Sequence, residues 1–509
     1  MASYAQVLSR AGVGLEAPLV EVEVHLQGGL PGFTLVGLPA AAVRESRDRI
    51  KSAIRNCGFK LPQRRIVVNL APADLPKEGG RFDLPIAVGL LAAAGLLGAG
   101  IDTRLARVEL LGELALTGAV RPIRGVLPAA IACARADREL FVPSSNVEEA
   151  LLVAACKVTS AASLSEVVRL LERSDPDVDA PDSADAVSRS AAPEPEYPCL
   201  SEVRGQGHAR RALEIAAAGG HNLLLSGPPG TGKTLLATRL PGLLPPLNES
   251  EAAEVAAIES IGTIGFDPAN WRRRPFRAPH HSASHAAMVG GGSRATPGEI
   301  SLAHRGVLFL DELPEFQRNV LEVLREPLES GVIHLSRAGY KVRFPASVQL
   351  VAAMNPCNCG FLGDGTNRCE CAPGQIARYR NRISGPLLDR IDLHVHVPQQ
   401  SLTALRRAPA GETTLAVRER VLDARATQME RSGKLNARLD VGELGRECRL
   451  GEMQLDMLEA AADRLQLSAR AANRVLKVAR TIADLAGREA IAAEHLLEAI
   501  GYRARDRTA

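Results

Sequence analysis

Aromatic side chains are scarce in this 509-residue chain: Phe, Tyr and Trp together make up 3% of it, with a single Trp. Alanine and leucine take their place, a composition that favours helices and suggests a helix-rich α/β protein. Charge of one sign is also missing. Lys and Arg number 61 against 58 Asp and Glu, a formal charge of +3, so bulk charge demands neither a nucleic-acid coat nor a membrane surface. No basic segment followed by an apolar core opens the sequence, so no signal peptide is expected. One run, Leu84–Ile101, is uncharged for eighteen residues, long enough to span a membrane. It is rich in Ala and Gly, and Asp83 and Pro85 stand like a helix start, so we read it as a buried helix. The nine cysteines then belong to a reducing, cytoplasmic setting, where clustered thiols mean metal or chemistry rather than disulfides.

What is present is more specific. Gly227-Pro228-Pro229-Gly230-Thr231-Gly232-Lys233-Thr234 has two glycines five apart, then lysine and a hydroxyl residue, the phosphate-loop pattern. The apolar run His221–Ser226 predicts a strand entering the loop, and Leu235–Leu240 predicts the helix leaving it. Backbone N–H groups of such a loop form an anion site. Lys233 would reach the β and γ phosphates of ATP, and Thr234 would hold Mg²⁺. Farther on, Gly306-Val-Leu-Phe-Leu-Asp311-Glu312 is an apolar strand ending in two carboxylates. At the carboxyl end of a parallel strand they face a ligand crevice. Asp311 would orient magnesium and Glu312 would polarise the attacking water. A third strand, Val348–Met354, delivers Asn355 toward the γ-phosphate or that water. Taken singly, Asp311 and Glu312 would pass for a helix cap and Asn355 for a turn residue before Pro356. In this order after a phosphate loop they predict ATP hydrolysis.

The chain has room for about three domains. Residues 174–196 are rich in Asp, Pro, Ser and Ala and read as a linker. Before it, residues 1–173 hold the alternating strand Leu19–Leu26, a helix over Ala41–Cys57 and a strand at Arg65–Leu70. Residues 197–400 hold the nucleotide core, and 401–509 read as helices. Cys357, Cys359, Cys369 and Cys371 flank a turn-rich segment. Four thiolates in two close pairs can close a tetrahedral zinc shell, although Cys-x-Cys departs from the usual Cys-x-x-Cys. Four reduced thiols in a surface loop are the alternative. His280-His-Ser-Ala-Ser-His285 lacks nearby carboxylates, and adjacent histidines on a strand would point to opposite faces. It reads as structural. Glu329–Arg343 predicts a β-hairpin turning near Ala338-Gly339, with Arg337, Tyr340, Lys341 and Arg343 placed to contact a phosphate backbone and stack on bases. An ordinary solvated hairpin carries similar residues.

Longer strings carry a resemblance. Gly29-Leu-Pro-Gly-Phe, Val36-Gly-Leu-Pro, Asn69-Leu-Ala-Pro-Ala-Asp, Lys77-Glu-Gly-Gly-Arg-Phe-Asp-Leu-Pro, Arg277-Ala-Pro-His-His-Ser, Pro297-Gly-Glu-Ile-Ser-Leu-Ala-His-Arg-Gly and Gly385-Pro-Leu-Leu-Asp-Arg-Ile-Asp resemble the ComM/YifB family of magnesium-chelatase-like AAA+ ATPases. The resemblance implies a parallel-sheet AAA+ core with an insertion in its second helix, a helical lid and an N-terminal Lon-protease-like α+β domain. It implies a hexameric DNA helicase that drives branch migration during natural transformation, acting on single-stranded or branched DNA. It also places Arg390 as an arginine finger serving a neighbouring subunit, with pairing to Asp389 or Asp392 as the plainer alternative. Arg470 matches a second sensing arginine in the lid, though Arg474, Lys477 and Arg480 lie on neighbouring turns. The resemblance also implies that the Glu329–Arg343 hairpin lines a ring pore and contacts DNA there, with His280–His285 as polar contacts nearby and Met288–Ser293, a flexible loop in the insertion, as a second pore candidate. A Lon-type serine–lysine dyad is missing: Pro76-Lys-Glu-Gly-Gly80 runs on to Arg81 without serine, and Ile123–Pro128 has no lysine. Peptidase activity is therefore not expected. A magnesium-chelatase motor subunit and a remodelling ATPase that never touches DNA stand as the alternatives.

Overall fold

The structure is a computed structural model and describes residues 3–37, 41–173, 196–292, 295–337, 340–365 and 368–503. The linker expected at 174–196 lies, apart from Glu196, outside the described residues.

Two sheets organise the chain. The first has seven strands, in the spatial order Gly32–Val36, Arg65–Ala71, Leu19–Gln27, Tyr4–Arg10, Val108–Leu110, Glu139–Pro143 and Lys157–Ala161. Tyr4–Arg10, Leu19–Gln27 and Arg65–Ala71 pair antiparallel, and the remaining pairs are parallel. Alternation decides which face is covered: Val20, Val22, Val24 and Leu26 are buried while Glu21 and Glu23 stay half-exposed. The uncharged run is a helix, Asp83–Ala93, buried at every residue and laid across the first two strands. Gly89 allows that approach, because a methyl there would meet Val24 at 2.8 Å. Among the described residues no helix is long and apolar enough to cross a membrane.

The second sheet is parallel throughout, in the order Phe276–Arg277, Val307–Leu310, Gln349–Met354, Leu223–Ser226 and Leu393–His396. Its central strands are buried on both faces, which is why they read as unbroken apolar runs. The strand feeding the phosphate loop lies between Gln349–Met354 and Leu393–His396, so Ser226, Leu310 and Met354 all end on one edge.

The C-terminal helices Thr414–Ser432, Glu452–Leu465, Ala469–Leu485 and Ala493–Gly501 follow. They do not form a separate body. Val475, Ile482, Leu496 and Tyr502 share one apolar interior with Leu223, Leu225 and Val395 of the sheet. Polar ties reinforce it: His221 Nε2 meets Thr481 Oγ1 at 2.7 Å, Gln428 donates to the Ala218 carbonyl at 3.2 Å, and Arg474 pairs with the buried Asp392.

Candidate functional site: an ATP centre and the elements around it

The phosphate loop runs from Ser226 to the helix Lys233–Ala237. Gly232 has φ 88°, which a side chain would strain. Gly227 faces a different limit, because a methyl there would overlap the Val397 carbonyl oxygen. The helix is shorter than the sequence suggests. Pro241 has no N–H to give Ala237, so the helix breaks and resumes as Leu240–Leu243. Lys233 is buried and donates to the carbonyls of Gly227 at 2.7 Å and Pro228 at 2.9 Å, and to Asn355 Oδ1 at 3.1 Å. Burial lowers its pKa, opposed by the charges of Asp311 and Glu312. One ammonium thus joins the loop to the strand that carries Asn355.

Thr234 Oγ1 donates to Asp311 Oδ2 at 2.8 Å. The hydroxyl and carboxylate expected to hold magnesium are therefore already side by side. The ion, when bound, neutralises charge on the β- and γ-phosphates. Glu312 N–H donates to Asp311 Oδ1 at 2.9 Å, and Glu312 itself sits at φ 52°, ψ 46°. A left-handed glutamate costs about 1–3 kcal/mol. Its carboxylate is half-exposed beside Asp311.

One residue in this centre was not legible in the sequence. His281 Nδ1 lies 3.1 Å from Glu312 Oε2. The histidine segment is a turn after Phe276–Arg277, not a strand, so His280 and His281 do not point to opposite faces. Their rings lie together with centroids 4.1 Å apart. The only signal was the histidine pair itself, and nothing local ties it to a glutamate 31 positions later.

The two arginines stand elsewhere. Arg390 is buried at the opposite end of the last strand. Its guanidinium donates to the Pro386 carbonyl at 2.7 Å and pairs with Glu329 Oε1 at 2.5 Å, while its Nε has no partner. Neither Asp389 nor Asp392 takes that role. Asp392 is held by Arg474 and by His221 at 3.5 Å, which keep its carboxyl well below the usual range despite burial. Arg470 is exposed at the start of Ala469–Leu485, one turn from Arg474. No described contact brings Arg470 to the phosphate loop of its own chain.

The cysteines converge. Cys357 Sγ lies 3.3 Å from Cys359 and 3.7 Å from Cys369, and Cys359 lies 3.6 Å from Cys369. All four sulfurs, Cys371 included, fall within 4.8 Å of one another. Tetrahedral bonds of about 2.3 Å put sulfurs about 3.8 Å apart, close to these separations, so the four thiols are gathered at the scale of a zinc shell. A backbone N–H from Phe361 favours the Cys359 thiolate, the form that binds metal, while, against backbone N–H bonds that lower them, bonds to Cys359 and Cys357 push Cys369 and Cys371 up. The knuckle abuts the nucleotide site, for a methyl on Gly360 would meet Pro229 at 2.8 Å.

The expected hairpin forms from Val332–Arg337 and Tyr340–Pro345, with residues 338 and 339 outside the described set. Ile333, Leu335, Val342 and Phe344 are buried, and Lys341 and Arg343 take the exposed face. The side chains of Arg337 and Tyr340 lie outside the described residues. A second, smaller hairpin pairs Gly290–Gly291 with Thr296–Pro297 between the helices His285–Val289 and Glu299–Leu302. The N-terminal domain rests on both. A side chain at Gly14 would collide with Val342, and a cavity of about 330 Å³ separates Gly12, Gly80, Arg81, Glu113 and Arg124 from Thr296. The N-terminal residues lining this cavity include carboxylates and arginines but neither serine nor lysine. Leu127 packs on Ala256 and Ala257 of the helix Glu249–Ile261, and Gly125 N–H donates to the Ser260 carbonyl at 3.1 Å.

Comparison with known proteins agrees with this assembly. Residues 199–405 match the family model "Magnesium chelatase, subunit ChlI", residues 22–146 match "Subunit ChlI of Mg-chelatase", and residues 411–503 match "Magnesium chelatase, subunit ChlI C-terminal". "Competence protein ComM" of Haemophilus influenzae is 52% identical over 99% of this chain and 98% of its own length. The uncharacterized protein YifB of Escherichia coli is 50% identical over the same shares. A magnesium-chelatase 67 kDa subunit of Heliobacterium mobile is 29% identical over only 39% of this chain and 34% of its own length. With full-length relatives at half identity around a phosphate loop, paired carboxylates and a parallel sheet, the chain belongs to the ComM/YifB family of magnesium-chelatase-like AAA+ ATPases.

Proposed function

We propose that this chain is an ATP-driven, ring-forming DNA motor, a hexameric helicase or branch-migration factor that promotes recombination of incoming DNA in natural transformation. The observation that carries the reading is the link between hairpin and arginine. Glu329, which holds Arg390, lies in the helix Arg325–Ser330, three residues before the hairpin that exposes Lys341 and Arg343. Phosphates drawn to that basic face would pull on the element that restrains the arginine. Arg390, once released, would serve a neighbour's γ-phosphate. Similarity to a competence protein across the N-terminal domain as well as the core favours DNA over a porphyrin as the substrate.

The test is ATP hydrolysis by the purified protein alone, with single-stranded DNA and with a four-way junction. Lys233→Ala and Glu312→Gln serve as controls. Stimulation by DNA that both substitutions abolish supports the motor. Brisk hydrolysis indifferent to every DNA removes it and leaves a chelatase-type or protein-remodelling ATPase.

A further inference from the structure

The strands that end at Asp311 and Asn355 begin at the far edge of the sheet, at Gly306 and Gln349. There they border a cavity of about 130 Å³ lined by Arg274, Arg305, Arg425, Arg438 and Glu251. The residues come from three parts of the molecule. Glu251 lies on the helix Glu249–Ile261, Arg274 and Arg305 flank core strands, and Arg425 and Arg438 belong to the C-terminal helical region.

Charge does not balance there. Arg305 pairs with Glu251 at 3.3 Å and Glu254 at 3.0 Å, and Arg274 approaches Glu251 only to 3.9 Å. Arg274 is buried, and its remaining nitrogens donate to the Pro245 and Arg305 carbonyls. Among the described residues no carboxylate pairs with Arg425 or Arg438. Arg425 Nε caps the Ala217 carbonyl at the end of the helix Gly207–Gly219, at 2.8 Å, and Arg438 donates to Ser347 Oγ at 3.1 Å. A helix cap explains the Nε of Arg425. It leaves the forked end of that guanidinium unexplained. Burial lowers Arg274 and Arg425, and the walls of the recess desolvate even Arg438 at its rim. Arg425 comes down to about 9 with Arg274 adding repulsion against the pull of Glu251, and Arg438 stays lowered although the charge of Asp392 opposes its desolvation more than Arg305 adds to it. Gathering like charges in a recess is unfavourable unless an anion offsets them.

Guanidinium forks match tetrahedral oxyanions. Size narrows the choice further. Drug-sized ligands occupy pockets of about 300–1,000 Å³, so this cavity accepts one phosphoryl-sized group and excludes a nucleoside. We propose that Arg274, Arg305, Arg425 and Arg438 form a second oxyanion site, distinct from the phosphate loop, in which one phosphoryl group bridges the core sheet, the Glu249–Ile261 helix and the C-terminal helices. The group is either free phosphate or a phosphodiester of bound DNA.

The test uses the full-length chain carrying Lys233→Ala, so that the phosphate loop is weakened in every sample. Thermal unfolding is followed against inorganic phosphate, with chloride adjusted to constant ionic strength. Binding of a fluorescent single-stranded oligonucleotide is measured in parallel by anisotropy. The parent is compared with Arg425→Met/Arg438→Met, with Arg438→Met alone at the exposed rim, and with Arg449→Met as an exposed charge-matched control. The expected result is a saturable rise in Tm with phosphate that the double variant loses and Arg449→Met keeps. Arg438→Met alone should weaken it at least threefold, a readout that survives if the double variant fails to fold. A loss of DNA affinity at least tenfold beyond that of Arg449→Met, with phosphate competing for DNA in the parent, assigns the group to DNA. Unchanged DNA binding alongside a lost phosphate response assigns it to free phosphate. If the Arg425 and Arg438 variants match Arg449→Met in both assays, the site does not exist.

Discussion

Replacing Glu329 by Gln probes the contact between the hairpin and the proposed arginine finger. In the structure Arg390 Nη2 and Glu329 Oε1 are 2.5 Å apart, with the guanidinium side chain 9% exposed and the carboxylate side chain 56% exposed. That asymmetry sets the magnitude. Breaking a pair buried on both sides costs about 3–5 kcal/mol, whereas an exposed pair contributes about 0.2–1 kcal/mol. With its carboxylate largely in water, this pair belongs near the top of the second range, at about 1 kcal/mol. Such a tie biases the restrained form about fivefold, and a neighbour's triphosphate, offering charge-assisted bonds to the same guanidinium, would outcompete it. Glu329→Gln should therefore raise DNA-free ATP hydrolysis about fivefold and leave the DNA-stimulated rate almost unchanged, so that the stimulation ratio falls by the same factor. The assay is steady-state hydrolysis at protein concentrations where analytical ultracentrifugation finds equal assembly of both proteins. A DNA-free rate that stays level or drops refutes the reasoning, as does an Arg390→Ala chain that hydrolyses ATP at the normal rate.

Three other outcomes are expected. Gly227→Ala forces a methyl against the Val397 carbonyl; an overpacking cost of about 1–3 kcal/mol should weaken ATP binding by one to two decades in a fluorescent-nucleotide titration, without unfolding the N-terminal domain. Elemental analysis of protein purified without chelator should find one zinc per chain, absent after Cys371→Ser, and loss of the metal should slow ATP hydrolysis because the knuckle supports Pro229. Burial raises the Asp83 carboxyl from about 3.8 to about 6, with Arg49 opposing at 2.9 Å. A raised carboxyl stabilises the fold below its unfolded value and loses that contribution as pH climbs through 6, about 3 kcal/mol in all. The urea midpoint of the native protein, measured against that of Asp83→Asn, should thus fall between pH 4 and pH 7.

The nucleotide centre was readable because each of its parts is local. A loop with glycines five apart, an apolar strand closed by Asp311-Glu312 and a strand closed by Asn355 each announce themselves within eight residues, and a parallel sheet delivers all three to one edge. Strand alternation exposed Leu19–Gln27 and the hairpin in the same way. Pairings between distant segments left no such trace. Nothing near His281 names Glu312, and nothing near Arg390 names Glu329 over Asp389 or Asp392. The path of the C-terminal helices was equally hidden. Their apolar faces were visible, but periodicity gives a face and not its partner, and nothing near Arg474 names the buried Asp392 that it pairs with.

The shared interior of sheet and C-terminal helices has a mechanical meaning. Opening a cleft between Val475 or Ile482 and Leu223 or Val395 would wet a continuous apolar layer and sever the Arg474–Asp392 and His221–Thr481 ties at once. Flexing one subunit at that seam would meet the cost of wetting apolar surface and of stranding the buried Asp392 together. In the proposed ring each subunit should instead move as a stiff block, with the cycle of ATP recorded in how one block tilts against the next.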